Sequence, residues 1–179
     1  MIYIFLAEGF EETEAVTPID LLKRAGFKVV TVGVTGKTVT GSHKIPFVCD
    51  ITADEIDKDR LEGVILPGGM PGTKNLAASK AVTDTIKAAF EEGRLVGAIC
   101  AAPSVLGRLG ILNGRKAVCY PGFESALEGA EVLEVPAVTD GNVVTARGAG
   151  TALEFSYELI KALGGNADKI ADDIIWSRQ

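Results

Sequence analysis

The sequence has 179 residues, 47% hydrophobic and 23% charged, with 18 Lys and Arg against 24 Asp and Glu. A net charge of −6, a pI near 4.9 and no basic run argue against nucleic acid or an anionic membrane surface as a partner. The single histidine, His43, removes multi-histidine metal centres, and Cys49, Cys100 and Cys119 contain no CxxC pair for a zinc ribbon or redox dithiol.

The first element is Ile2–Ala7 (IYIFLA), a buried strand. It lacks a basic leader region and is interrupted by Glu8, so it does not read as a signal peptide. Glu11–Ala25 has helical spacing and is closed by Gly26; Pro18 inside it predicts a kink or a late start. Lys28–Val34 is a second strand. Thr38–Cys49 reads as two short strands around Gly41, an excursion from the main sheet that carries His43. Gly63–Leu66 is a third strand, Lys80–Glu92 a helix closed by Gly93, and Leu95–Ile99 a fourth strand running directly into a helix at Ala101–Leu109, ended by Gly110. Lys116–Asp140 mixes short strands with a helical turn near Phe123–Leu127. Val143–Ala146 and a helix at Thr151–Leu163, ended by Gly164, complete the pattern. Strand–helix alternation with β-branched, nearly continuous apolar strands predicts an α/β protein with a mostly parallel sheet and helices on both faces, in one domain over 1–179. A chain of this mass exposes roughly 8,300 Å² when folded and buries about 70% of its unfolded surface, enough for a core without staples. No stretch approaches the roughly 18 apolar residues of a membrane span. The odd cysteine count suits a reducing compartment, so a cytoplasmic location is expected.

Ligands of open parallel sheets bind beyond the carboxyl ends of the strands. That directs attention to the turns at Glu8–Glu14, Pro67–Thr73, Cys100–Pro103 and Arg147–Thr151. Cys100 ends a buried strand and begins a helix within V-G-A-I-C-A-A-P-S, the setting of a nucleophile elbow without the G-x-S-x-G consensus. A helix start lowers a thiol pKa, which makes Cys100 the expected most acidic of the three thiols. A buried core cysteine at a strand end fits the same pattern equally well. Pro67-Gly68-Gly69-Met70-Pro71-Gly72 permits close backbone approach to a ligand or developing oxyanion, or forms a plain tight turn. Glu11, Glu12 and Glu14 complement the helix dipole; one that turned inward would have its pKa raised by burial. His43 reads as a surface or interface residue, and Tyr120 as a packing group.

E-E-T-E at 11–14, L-P-G-G at 66–69, A-I-C-A-A-P at 98–103 and A-R-G-A-G-T-A-L-E-F at 146–155 together resemble the ThiJ/PfpI superfamily, and within it the branch of the parkinsonism-associated deglycase. The resemblance implies a flavodoxin-like three-layer sandwich, a homodimer and no cofactor or metal. It places the reactive cysteine at Cys100, a protonated glutamate against its sulfur at Glu14, and oxyanion donors at the amides of Gly69 and Ala101. Gly68, His43, Tyr120 and Arg147 fall at pocket or interface positions. Ala101 stands where the protease-like branch has histidine, which disfavours a cysteine peptidase. Tyr120 stands where some members of the deglycase branch have histidine. A glutamine amidotransferase needs a late histidine that the sequence lacks. The implied function is cysteine-dependent conversion of small α-oxoaldehydes such as methylglyoxal, or removal of their protein adducts, in stress protection. The alternative is a redox sensor in which Cys100 oxidises without turnover.

Overall fold

The computed structural model describes residues 1–177. β1 (Ile2–Leu6) leads through α1 (Glu12–Arg24) to β2 (Val29–Gly33), after which the chain leaves the sheet for a hairpin, β3 (Thr38–Thr40) and β4 (Pro46–Val48), and returns at β5 (Ile51–Thr52). β6 (Gly63–Leu66), α2 (Gly72–Ala78), α3 (Lys80–Glu91), β7 (Leu95–Ile99) and α4 (Pro103–Arg108) follow. Then come β8 (Lys116–Ala117), β9 (Glu131–Val132), β10 (Ala137–Asp140), β11 (Val143–Ala146), α5 (Ala152–Ala162) and α6 (Ala167–Asp173).

Seven strands form the main sheet in the order β10-β11-β7-β6-β1-β2-β5. All neighbours are parallel except β10 and β11, which pair antiparallel with Ala137 opposite Ala146. β3–β4 and β8–β9 are separate two-stranded pairs. Alternation along β1 divides the core in two. Ile2, Ile4 and Leu6 pack with Ala15, Ile19 and Leu22 of α1 and Phe155 and Leu159 of α5, whereas Tyr3 and Phe5 pack with Leu76 of α2, Val82 and Ile86 of α3, and Val105 and Leu106 of α4. Each large side chain so buried contributes about 1.5–3 kcal/mol, and two such layers hold helices on both faces. The sequence reading of a mostly parallel, three-layer sandwich is therefore right. The exposed area is 8005 Å², close to the expectation from mass. No helix among the described residues is long and apolar enough to cross a membrane.

Several boundaries differ from the sequence reading. α1 starts at Glu12, not late, and runs past Pro18. The Glu11 carboxylate caps it by accepting the Glu14 N–H at 2.7 Å, and Pro18, itself buried, forfeits one helical donor while the apolar face stays packed. α4 begins at Pro103, since residues 101 and 102 form the turn that follows the strand. α2 was hidden behind the glycines and prolines that precede it. α6 carried a legible start signal: Asn166 accepts the Lys169 N–H at 3.0 Å as an N-cap, ahead of buried Ala167, Ile170 and Ala171.

Candidate functional site

Parallel pairing of β1, β6, β7 and β11 brings the turns at 8–14, 67–73, 100–103 and 147–151 to one edge of the sheet. At the centre, Cys100 has φ +66°, a left-handed conformation that costs a non-glycine residue about 1–2 kcal/mol. Two backbone hydrogen bonds hold it there: its N–H donates to the Ala146 carbonyl at 2.9 Å, and its carbonyl accepts from Tyr120 N–H at 2.8 Å. The strand end is thus clamped between β11 and the Tyr120 loop, and the thiol is left half-buried with two backbone donors, Gly69 N–H and Ala101 N–H, on its sulfur.

Glu14 comes from the first turn of α1 yet is 1% exposed. Its Oε2 accepts the Gly68 N–H at 2.8 Å, its carboxyl also meets the Ala149 N–H, and it shares a hydrogen bond with the Cys100 side chain. This convergence requires glycine at position 68. A Cβ there would lie 2.7 Å from the Cys100 Cβ and 2.8 Å from Glu14 Oε2. Burial, assisted by the charge of Glu11, pushes the Glu14 carboxyl up to about 7 against the hydrogen bonds that favour its anion. Burial first, then the charge of Glu14 and the shared hydrogen bond, push the Cys100 thiol up to about 12, opposed by the Ala101 and Gly69 amides. Cys49 and Cys119 are each pushed up to about 11, mainly by burial. Desolvation and the carboxylate neighbour push the Cys100 thiol up against its two amides, so its acidity depends on the pair it forms with Glu14 and not on the helix start alone. Glu14 and Cys100 titrate as a pair: the carboxyl and the thiol share the first proton to leave, and the charge it leaves behind holds the second proton on.

The other predicted residues divide. Gly68, Gly69 and Ala101 lie on the pair. Tyr120 is held to it through the backbone, with its ring Cδ2 3.3 Å from the point where a Cβ on Gly148 would stand. Arg147 donates its backbone N–H to Pro136, and its charge acts on Cys119. His43 is elsewhere, 70% exposed on the β3–β4 excursion, where Nδ1 lies 2.9 Å from Glu12 Oε2 and 4.0 Å from Glu11 Oε1. Cys49 and Cys119 are both buried. Sequence reading missed the Ala149 amide, although its position at a strand end on the same sheet edge was the available signal. A cleft of about 470 Å³ opens at the opposite, amino end of the strands between Phe27, Arg94 and Asn142 and holds no cysteine. A cleft of about 360 Å³ borders the site at Gly9, Met70 and Pro71.

A doubly wound sheet that strains a cysteine at a strand end and turns a buried glutamate onto its sulfur defines a class of cysteine-elbow α/β proteins. The family model described as DJ-1/PfpI family matches residues 1–162, and the chain belongs to that family. It is 35% identical over 165 residues to Protein dj-1beta of Drosophila melanogaster, covering 90% of this chain and 88% of the relative. It is 30% identical over 164 residues to a deglycase of Pyrococcus abyssi, covering 90% and 98%. Against Protein DJ-1 homolog B of Arabidopsis thaliana it is 37% identical over 166 residues but spans only 38% of that protein's length. Among solved structures it resembles Drosophila melanogaster DJ-1beta with a TM-score of 0.94 at 32% identity, covering 99% of this chain and 98% of that one. Toxoplasma gondii DJ-1, solved in an oxidised form, matches with a TM-score of 0.93 at 33% identity and the same coverage.

Proposed function

We propose that this chain is a cofactor-independent enzyme that converts small α-oxoaldehydes, with methylglyoxal to lactate as the reference reaction, and acts on their protein adducts. The observation that supports it most directly is the Glu14–Cys100 pair, a buried acid and a sulfur under two amides. The pair's single negative charge above its first titration sits on sulfur, with the proton on Glu14 as a donor to it. The sulfur attacks the aldehyde carbon, forming a C–S bond while the carbonyl π pair moves onto oxygen, where the Gly69 and Ala101 amides stabilise it. Glu14 gives its proton to that oxygen, which yields a hemithioacetal and leaves Glu14 as a carboxylate. The Glu14 carboxylate then takes the proton from the sulfur-bearing carbon, giving an enediol as the neighbouring carbonyl oxygen is protonated. It returns the proton to the neighbouring carbon while the first carbon's hydroxyl loses its own, so the first carbon becomes a thioester and the second a hydroxyl-bearing centre. Water adds to the thioester, the C–S bond breaks, and lactate and the thiol are released. One carbon is oxidised as its neighbour is reduced, so no external redox partner enters. Lactate formation by the purified protein, abolished in Cys100→Ala, is the test; no lactate from the wild type overturns the assignment.

The homodimer belongs to the same reading, and its support is an apolar exposed surface on α1 and the hairpin: Val16 at 47%, Ile45 at 56% and Val48 at 68%. Light scattering at the dimer mass is expected. One observation favours a second reading, redox sensing: the amides on the Cys100 sulfur and the Glu14 carboxyl are equally suited to hold a sulfinate formed by successive oxygen transfers from peroxide. Stoichiometric oxidation of Cys100 in a protein that forms no lactate is its signature.

A further inference from the structure

The opening onto Cys100 has unlike sides. Polar groups make one: the Glu14 carboxyl and the amides of Gly69 and Ala101. An aromatic ring makes another. The Tyr120 backbone is fixed, since its N–H donates to the Cys100 carbonyl at 2.8 Å and its own carbonyl accepts from Phe123 N–H at 3.1 Å. Its ring carbons Cδ2 and Cε2 lie 3.3 and 3.7 Å from the point where a Cβ on Gly148 would stand, and Glu14 Oε1 lies 4.0 Å from the same point. The ring and the carboxyl therefore flank the bare backbone of Gly148. Yet the ring does no packing work that explains it. Tyr120 is 50% exposed, belongs to neither core layer, and its hydroxyl makes no hydrogen bond among the described residues. Cys119, its neighbour, is buried in the core, so the loop is anchored without it.

We propose that Tyr120 is a specificity-determining residue: its ring is an aromatic wall at the mouth of the Cys100 site, favouring α-oxoaldehydes that carry an aryl group over those that carry a methyl. This deepens, and rests on, the aldehyde-converting reading above. In the hemithioacetal the substituent hangs from the carbon next to the one bonded to sulfur. Glu14 must reach both carbons, so the substituent projects on the Glu14 side of the opening. There the Tyr120 ring, seated over the bare backbone of Gly148, presents an apolar surface. Ring against ring, in offset or edge-to-face contact, adds attraction beyond the area buried, and a methyl group has no such partner.

The experiment compares phenylglyoxal with methylglyoxal in wild type, Tyr120→Ala and Tyr120→Phe. The ratio of kcat/KM for phenylglyoxal to that for methylglyoxal should fall about three- to tenfold in Tyr120→Ala, chiefly through KM, and hold in Tyr120→Phe, which keeps the ring. A second readout needs no turnover: the rates at which 2-bromoacetophenone and bromoacetone alkylate Cys100, resolved by peptide mapping. Their ratio should fall in Tyr120→Ala by a similar factor and hold in Tyr120→Phe. If both ratios are unmoved in Tyr120→Ala, or if Tyr120→Phe loses as much, the aromatic wall is wrong even where methylglyoxal turnover stands. If the wild type turns over neither glyoxal but the alkylation ratio still depends on the ring, the wall stands and the catalytic reading falls.

Discussion

Glu12 and Glu14 are two residues apart in the first turn of α1, feel the same helix dipole, and are pushed in opposite directions. Glu14 turns under the sheet edge, where burial holds its carboxyl at about 7 beside the Cys100 sulfur. Glu12 is also covered, with 11% of its side chain exposed, and burial alone would raise it. The His43 side chain and the backbone amides around it reverse the sign, and its carboxyl sits below the ordinary value. Its Oε1 accepts the His43 N–H at 2.8 Å and its Oε2 accepts from Ser42 Oγ at 3.2 Å. Both carboxyls accept hydrogen bonds, and the difference is one of depth and of partner: Glu14 is 1% exposed, while 11% of the Glu12 side chain meets solvent beside an imidazole. A partly covered carboxylate paired with an imidazole is an ion-pair anchor for the β3–β4 hairpin, whereas a fully buried one facing a thiol keeps its proton near neutral pH and becomes chemistry.

The largest effects should come from attacking the chemical side of that contrast. Glu14→Gln keeps a hydrogen-bond donor but cannot move a proton, and Glu14→Leu does neither, so methylglyoxal turnover should fall by about 10²–10⁴ in both; turnover retained in Glu14→Leu would make Glu14 a structural acid. Next is the linkage between burial and stability. A carboxyl held at about 7 in the folded protein and 4.5 in the unfolded chain stabilises fully below 4.5, and that contribution is lost as pH rises through 7. Denaturant titrations should therefore show Glu14→Gln gaining on the wild type across that window, by roughly 3 kcal/mol in all, with a flat difference above it. An absent window would mean that Glu14 is solvated.

Gly68→Ala forces a methyl between the Cys100 Cβ and Glu14 Oε2. It should cost about 1–3 kcal/mol of stability, and turnover should fall further than the stability loss accounts for, measured at a temperature where the variant is folded. Alkylation of Cys100 should rise with pH through about 7, the first titration of the pair, while Cys49 and Cys119 respond only towards 11. Equal pH profiles for the three cysteines would show that the pair does not share its charge with sulfur.

The smallest effects belong to the anchoring carboxylate. His43 is held above its ordinary pKa by the hydrogen bond and charge of Glu12, and Glu12 is held below its own. The hairpin contact loses its contribution both as pH falls through the depressed Glu12 value and as it rises through the raised His43 value. His43→Ala should leave methylglyoxal turnover in place and change stability only slightly, with the difference confined to that interval. A large loss of turnover in His43→Ala would draw the two carboxylates into one site.

The amino-acid order alone determined the architecture. Apolar, β-branched runs of strand length separated by amphipathic stretches leave a parallel sheet covered on both faces as the economical way to bury them, and the motifs at 11–14, 66–69, 98–103 and 146–155 then fall at one sheet edge. It also marked Cys100, since a strand that meets a turn without an intervening loop must bend sharply at that residue. What it left open, a nucleophile or an ordinary core thiol, needed coordinates: φ of +66° and two clamping hydrogen bonds are properties of β11 and the Tyr120 loop, both distant in sequence. The roles of the glutamates were equally out of reach. Residues two apart on a helix point roughly 200° apart around its axis, and only docking of α1 against the sheet sends Glu14 inward and leaves Glu12 beneath the hairpin. The thiol's acidity was out of reach for the same reason. A helix start is a local feature visible in sequence, whereas the desolvation and the carboxylate that outweigh it are delivered by chain segments that meet only when the protein folds.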